Sequence, residues 1–311
     1  MSVHQPALVH EVLEGLAVVS DGWYVDGTYG RGGHSAEILE RLGEQGRLLA
    51  LDKDPEAVAH GRRHLAADPR FTMEQGGFEA LAAHVGPWLE GHRLAGVLLD
   101  LGVSSDQLEA PERGFSFTKD GPLDMRMNPT EGISAAEWLA GVDEDELAKV
   151  LRQYGEEPRA RQIARAVVAA RTEMPIETTA QLAALVERGA SWRRRRTHAA
   201  TRAFQAIRIH VNQELQALEC VLEQCLRLLS EGGRLCIISF HSLEDRIVKR
   251  FMAREARGDP AYVGLPDIPP QARPWLQLIG ALVRPSESEL ARNPRARSAR
   301  LRVAERIGVT A

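Results

Sequence analysis

The sequence predicts an α/β protein whose doubly wound, mostly parallel sheet is interrupted by a long helical insertion. Apolar runs that end in an acid, at Asp26, Asp52 and Asp100, are typical of buried parallel strands that stop at one edge of a sheet. The next apolar run that is typical of a buried strand begins only at Leu235. One crossover helix suffices between neighbouring parallel strands, and residues 105–210 are far more than one helix needs. We therefore expect them to form a separate insertion.

The strands follow in chain order from these apolar runs. A glycine-rich turn leads from the first strand into a helix that is predicted from Ser35 to about Leu42. The turn Gly232-Gly233 precedes the fifth strand, and Leu301–Ala304 is predicted to return as a strand at the edge of the sheet. The five predicted parallel strands are residues 24–26, 48–51, 71–73, 96–101 and 235–240.

The insertion itself is patterned as helices. Ser134 and Glu137 have the spacing of a capping box before an apolar run. Apolar residues recur at helical spacing further along, for example at Leu147, Val150 and Leu151. The sequence thus predicts one domain made of residues 1–104 and 211–311, and a second, all-helical domain made of residues 105–210.

The turn after the first strand combines four glycines with a distant acid. Gly27, Gly30, Gly32 and Gly33 permit positive φ angles and let a ligand approach bare backbone N–H groups. Asp52 ends the second strand 19 residues after Gly33, a position that suits a carboxylate accepting ribose hydroxyls. The pattern predicts a nucleoside-containing cofactor, and a tight turn without a ligand is the alternative.

The kind of cofactor follows from what the turn lacks. The turn does not match the G-x-G-x-x-G pattern of dinucleotide-binding proteins. Asp26 also precedes the first glycine directly, so a phosphate bound in this turn would meet its carboxylate. A carboxylate there suits a cationic ligand such as the amino acid end of S-adenosylmethionine. A nicotinamide-dependent oxidoreductase stays open as the alternative.

Composition is that of an enzyme-sized globular protein of 311 residues, of which 44% are hydrophobic. No apolar run approaches the length of a membrane span, and Met1 to Pro6 are polar, so we expect neither a membrane segment nor a signal peptide. The three cysteines form no C-x-x-C pair and indicate reduced thiols. We therefore expect a cytoplasmic protein.

Arginine is concentrated in two places although the net charge is −4. Residues 188–208 hold seven arginines and no acid, including the run Arg193, Arg194, Arg195 and Arg196. Residues 292–306 hold six arginines and one acid, Glu305. Such clusters predict a surface that binds the phosphates of a nucleic acid, and a merely solvated charged surface is the alternative.

Seven blocks of the chain form a recognisable set: Gly27–Ser35, Leu99–Ser105, Gly114–Phe117, Gly121–Met127, Thr201–Ile209, Ser239–Arg246 and Asn293–Ser298. Together they resemble the ribosomal RNA small-subunit methyltransferase H family. The resemblance implies a Rossmann-like S-adenosylmethionine methyltransferase sheet with an inserted all-helical substrate-recognition domain. It also implies methyl transfer to N4 of a cytidine in the decoding region of bacterial 16S rRNA, within the small ribosomal subunit.

Matching positions suggest how the cofactor is held. The resemblance implies that the first turn contacts S-adenosylmethionine, that Asp52 binds its ribose and that Phe78 lies beside its adenine. We expect no metal, because no second His, Cys or acid lies at ligand spacing from His34. The cofactor-binding residues that the resemblance implies are Gly32, Gly33, His34, Asp52, Phe78, Asp100 and Gln107.

The chemistry of an exocyclic amine points to Asp100 as the catalytic candidate. This amine is conjugated with its ring, so it must be aligned with the methyl donor while its leaving hydrogen finds an acceptor. Many amino-methyltransferases carry an Asp/Asn/Ser-Pro-Pro-aromatic motif here, whereas this chain continues as Leu101-Gly102-Val103. A role for Asp100 in holding the cofactor alone is the alternative.

Further residues are candidates for contacting the RNA. Asp124 and Arg126 are predicted either to line the target pocket or to form an ion pair that braces the insertion. Phe115 and Phe117, on a strand-like run, are predicted either to stack on a flipped base or to form a small hydrophobic lid. The lesser candidates for contacting the base are Ser104, Ser105 and His241.

Two other functions stay open beside cytosine methylation. One is methyl transfer to a different RNA amino group. The other is a non-catalytic role in ribosome assembly by a chain that retains a methyltransferase shell.

Overall fold

The computed structural model describes residues 6–190, 199–262, 269 and 272–308. The chain divides into two compact units: residues 1–102 with 215–311, here called the sheet unit, and residues 103–214, the helical unit. The boundaries predicted from the sequence were 104/105 and 210/211. No helix in the described ranges combines the length and the hydropathy needed to cross a membrane.

The sheet unit holds a seven-stranded sheet in the order β3-β2-β1-β4-β5-β7-β6. β1 to β5 are parallel to one another, and β7 is antiparallel to both β5 and β6. The strands are β1 Trp23–Asp26, β2 Arg47–Asp52, β3 Phe71–Gln75, β4 Leu94–Asp100, β5 Leu229–Ser239, β6 Leu276–Val283 and β7 Arg300–Arg306.

Helices cover the sheet and build the helical unit. The helices of the sheet unit before the insertion are α1 Val9–Leu16, α2 Gly33–Leu39, α3 Pro55–His64 and α4 Leu81–Trp88. Those of the insertion are α5 Ser105–Glu109, α6 Ala135–Gly141, α7 Glu144–Gly155, α8 Ala160–Glu173, α9 Thr179–Ala190 and α10 Ala199–Val211. The chain continues with α11 Glu214–Leu228, α12 Ser242–Arg257 and α13 Glu287–Arg292.

The predicted doubly wound α/β fold is confirmed, and three details differ. Residues 301–304 do form a strand, but β7 lies between β5 and β6, so the edge strand is β6, which the sequence analysis did not identify. Gly232-Gly233 lies inside β5, where the pairing with β4 shifts register and Gly232 has φ +77°. The helix after the first strand begins at Gly33 and not at Ser35.

The two faces of the sheet carry separate apolar cores. On one face, Leu48 and Leu98 pack with side chains of α1 and α2, such as Val12 and Ile38. On the other face, strand residues such as Val97 pack with side chains of α4, α11 and α12. β1 lies between β2 and β4, so the strand order proceeds to β2 and β3 on one side of β1 and to β4 and β5 on the other. The order therefore reverses next to β1, which is a topological switch point. Ligands bind at the carboxyl ends of strands at such a switch point.

The helical unit has an apolar core of its own. Phe115 is buried there, and the ring of Phe117 meets that of Phe204 edge-on with centroids 5.1 Å apart. The segment around these two residues is not a strand, so the prediction of a strand-like run was wrong. Glu157 is 1% exposed, and its carboxylate accepts a 2.7 Å hydrogen bond from Arg202 Nε, which satisfies a charge inside the core.

Candidate cofactor and substrate site

The turn between β1 and α2 needs glycine for two separate reasons. Gly30 and Gly32 have φ angles of +56° and +74°, in the left-handed region that side chains disfavour. A Cβ atom on Gly32 would also lie 2.5 Å from the hydroxyl oxygen of Tyr29. Gly27 leaves no room either, because its Cβ would lie 2.6 Å from Leu99 Cδ2 and 3.4 Å from Phe78 Cβ. The turn therefore lies closely against β4 and Phe78.

Asp26 braces this turn from within. Its carboxylate accepts a 2.7 Å hydrogen bond from Ser35 Oγ and a 3.1 Å bond from the Thr28 backbone N–H. The residue is 1% exposed, and this burial raises the pKa of Asp26 although the Ser35 hydroxyl favours the ionised form. Asp26 thus joins the end of β1 to the first turn of α2.

Asp52 joins β2 to the same turn. One carboxylate oxygen accepts the Gly30 N–H at 2.8 Å, and the other accepts the Asp54 N–H at 2.9 Å. A carboxylate oxygen has a second lone-pair site, so each oxygen can still accept one more donor. Burial raises the pKa of Asp52 to about 6, against the effect of the two backbone donors.

Buried His34 and partly buried Asp100 form a polar pair that leaves three polar atoms without hydrogen-bond partners among the described residues. His34 is 6% exposed, and its Nε2 lies 3.5 Å from Asp100 Oδ2, longer than an ordinary hydrogen bond. Neither ring nitrogen of His34, nor Asp100 Oδ1, has a hydrogen-bond partner within the described ranges. Native interiors rarely leave buried polar atoms unsatisfied, so these three atoms indicate a place where a polar ligand completes the set.

Nearby carboxylates favour the protonated form of His34. Burial alone would lower the pKa of His34, but the carboxylates of Asp100 and Asp26 outweigh it and raise the pKa. Thr28 fixes the other partner, because its hydroxyl accepts the Asp100 backbone N–H at 2.6 Å. The sequence analysis did not single out Thr28, although it lies inside the glycine turn.

The structure thus gathers most of the predicted cofactor residues at one edge of the sheet. Phe78 opens a short 3-10 helix, residues 78–80, directly after Gly77, and its ring packs partly buried on the apolar core beneath. The predicted residues found together here are Gly32, Gly33, His34, Asp52, Phe78 and Asp100. Gln107 belongs to the helical unit.

His241 lies where β5 meets α12 and caps that helix. Its Nδ1 accepts the Glu244 N–H at 3.4 Å, and its Nε2 lies 3.1 Å from a carboxylate oxygen of Glu244. The other carboxylate oxygen of Glu244 accepts the backbone N–H groups of Phe240 and His241. The capping box thus uses Nδ1 of His241, whereas Nε2 is buried without a hydrogen-bond partner among the described residues. A contact between His241 and RNA stays a prediction.

Ser104 and Gln107 form a capping box in the helical unit. Ser104 Oγ accepts the Gln107 N–H at 3.2 Å, and Gln107 Oε1 accepts the Ser104 N–H at 2.8 Å. Ser105 and Gln107 are buried. The Ser-x-x-Gln spacing signals this cap in the sequence, and the sequence analysis did not use it.

Asp124 and Arg126 form an ion pair, the second of their two predicted roles. Arg126 Nε and Nη2 donate to the two carboxylate oxygens of Asp124 at 2.8 and 2.7 Å. Burial would raise the pKa of Asp124, but these bonds outweigh it and hold the pKa below its usual value. A role in the target pocket stays a prediction. The run Arg193–Arg196 lies outside the described residues.

Comparison with known proteins bears on this geometry. A family model described as the MraW methylase family matches residues 1–307. The Thioalkalivibrio sulfidiphilus protein named ribosomal RNA small subunit methyltransferase H is 56% identical over 306 residues, which cover 98% of this chain and 97% of that protein. The protein of the same name from Xylella fastidiosa strain M12 is 53% identical over 313 residues and covers 98% of both chains. The resemblance inferred from the seven blocks is confirmed: this chain belongs to the MraW methylase family.

Proposed function

We propose that this methylase transfers a methyl group from S-adenosylmethionine to the N4 amine of one cytidine in the decoding region of bacterial 16S rRNA. Membership of the MraW methylase family and the names of its relatives support a ribosomal RNA substrate. The observation that carries the chemistry is the pair His34 and Asp100 beside the glycine turn, which has three buried polar atoms without hydrogen-bond partners among the described residues. The small ribosomal subunit, in the cytoplasm, is the proposed setting.

The residues at this edge fit S-adenosylmethionine. Its ribose offers two hydroxyl donors, and Asp52 presents two carboxylate oxygens that each retain an acceptor site. Its charged amino acid end suits an edge where Asp26 and Asp100 end their strands. The ring of Phe78 offers a face for an adenine. When bound, the cofactor supplies a methyl group already activated by a sulfonium, so the protein's task is alignment and proton removal.

Asp100 is the proposed acceptor of the amine hydrogen. The amine nitrogen must donate its lone pair to the methyl carbon, and one N–H proton must then leave. Asp100 Oδ1 has no hydrogen-bond partner within the described ranges, so it can accept that N–H. The Thr28 hydroxyl holds the backbone of Asp100, and His34 Nε2 lies 3.5 Å from its other carboxylate oxygen. Oδ1 is therefore the proposed acceptor of the proton that the amine releases.

The helical unit is the proposed substrate-recognition domain. Its apolar side chains pack in a core of their own, so its polar surface is available to bind the RNA. The proposed RNA contacts in this part of the chain are Ser104, Ser105, Asp124, Arg126 and Arg193–Arg196, and His241 is proposed from the sheet unit. Gln107 is proposed as a cofactor contact from the helical unit.

The decisive experiment identifies the product. Unmodified 16S rRNA and small subunits assembled from it are incubated with the protein and S-adenosylmethionine that carries an isotope-labelled methyl group. Nucleosides are then separated and analysed by mass spectrometry. We expect N4-methylcytidine as the labelled nucleoside, formed much more slowly by Asp100→Asn. Label on another nucleoside would move the activity to a different RNA amino group. No label, with normal RNA binding, would support the non-catalytic alternative.

A further inference from the structure

The arginine cluster of residues 292–306 separates into two groups in the structure. Arg300 and Arg302 both donate to the carboxylate of Asp245, at 3.0 and 2.7 Å. Arg306 lies over the ring of Trp275, 4.3 Å from its centroid, and donates to the Leu226 carbonyl. These three arginines stabilise the fold.

The other group consists of Arg292, Arg295 and Arg297, here called the arginine collar. All three side chains are exposed. Arg292 and Arg297 form no ion pair with a carboxylate in the parts of the chain that the structure describes. The nearest acid along the chain, Glu289, uses a carboxylate oxygen to accept the Leu8 N–H at 2.7 Å.

The collar is held on a short, firmly packed segment. Arg292 ends α13, and Arg295 and Arg297 lie in a 3-10 helix formed by residues 294–298. Ala296 and Ala299 are each 1% exposed and anchor this segment in the core of the sheet unit. Buried alanines therefore alternate with exposed arginines. A fixed backbone lowers the entropy cost of binding an extended polyanion.

The collar lies at the edge of the sheet where the candidate site is. β7 begins at Arg300, which pairs with Ser239, the last residue of β5. The carboxyl end of β5 is also the edge where Asp26 and Asp100 end β1 and β4. The start of the chain connects the two features, because Pro6 contacts the position of Gly33 and Leu8 binds Glu289.

We propose that the arginine collar binds the phosphodiester backbone of the RNA substrate beside the reaction edge. The proposal rests on the proposed function, from which it takes the identity of the polyanion. A guanidinium pairs with phosphate oxygens through two parallel N–H donors, and such contacts fix the register of a nucleic acid without reading its sequence. The collar would thus hold the strand while other residues select the base.

The test compares two sets of arginines on the same sheet unit. The variant R292A/R295A/R297A removes the collar. The matched control, R62A/R63A/R227A, removes three exposed arginines near the amino ends of the strands, since α3 ends at His64 and Arg227 precedes β5. Binding of a 16S rRNA transcript is measured at several salt concentrations, and binding of S-adenosylmethionine is measured by calorimetry.

We expect the collar variant to lower the slope of log K against log salt by about two, because each lost phosphate contact removes somewhat under one unit. The control slope and the cofactor affinity should match those of the wild type. Equal slopes for all three proteins, or an equal loss in the control, would overturn the proposal. The single variant R297A, at an exposed position, should lose roughly 0.7 units and guards against a folding defect. If the collar variant shows the expected loss of slope but no methylated nucleoside is formed by the wild type, the proposed function is refuted and the role of the collar in binding RNA is retained.

Discussion

Asp52→Asn is expected to change the pH dependence of folding in a defined way. Burial raises the pKa of Asp52 from 3.8 to about 6 in the folded protein. The folded state therefore holds this proton more tightly than the unfolded state. It follows that Asp52 favours folding below about pH 4, and that this contribution is lost as the pH rises through about 6. At about 1.4 kcal/mol per pKa unit, the loss is roughly 3 kcal/mol in all, of which about 2 kcal/mol falls between pH 4.5 and pH 7.

Asparagine cannot ionise, so the variant lacks this contribution while other titrating groups stay the same. Urea unfolding of the ligand-free protein, at several pH values, gives the free energy of unfolding of both proteins. The wild type should lose about 2 kcal/mol relative to the variant between pH 4.5 and pH 7. Curves that run parallel across this range would show that the pKa of Asp52 is not raised, and would refute the reasoning.

The same pKa has a consequence for the cofactor. If ribose hydroxyls donate to ionised Asp52, wild-type affinity for S-adenosylmethionine should fall about tenfold from neutral pH to pH 5. Asp52→Asn should bind about 1–3 kcal/mol more weakly at neutral pH and show little of this dependence. Calorimetry at both pH values checks this, and a wild-type affinity that is flat with pH would remove Asp52 from the ribose site.

Three further variants test the turn, the chemistry and the RNA contacts. Asp100→Asn should slow single-turnover methyl transfer far more than it weakens cofactor binding, and equal losses would reduce Asp100 to a cofactor ligand. Gly32→Ala should lower the free energy of unfolding by about 1–3 kcal/mol more than Gly132→Ala, because both positions have positive φ but only Gly32 is crowded by Tyr29. Replacing Arg193–Arg196 by alanine should flatten the salt dependence of RNA binding without changing cofactor affinity, and an unchanged slope would make the run a solvated surface.

The strands that position the site could be predicted because their signals are local. Each ends a short apolar run with an acid, and the glycine turn follows the first of them. β6 was not predicted because its sequence, Leu276–Val283, has no clear alternation of apolar and polar residues and contains Gly280. Its Leu278 is half exposed in the structure. The position of β7 inside the sheet depends on its pairing with both neighbours, which no short window of sequence can show.

In the candidate site, too, local signals were predictable and long-range contacts were not. Spacing singled out Asp52, and the family resemblance added His34 and Asp100 to the same predicted site. Spacing could not show which charged side chains already form ion pairs with distant parts of the chain. Asp245 satisfies two arginines that lie more than fifty residues away along the chain, which leaves only part of the arginine cluster for RNA. Such long-range pairs become visible only when the strands are placed.

The bulge in β6 has a consequence for the behaviour of this protein at high concentration. An edge strand with free N–H and C=O groups can recruit the same strand of another copy and start aggregation. In β6 the pairing with β7 shifts register between Ile279 and Val283, and Gly280 adopts φ +67°, so the outer edge is bent where a second strand would have to run straight. β3, the strand at the opposite edge, is only five residues long and carries Glu74. The bulge in β6 and the short, charged strand β3 thus both oppose pairing of the sheet with a strand from another copy.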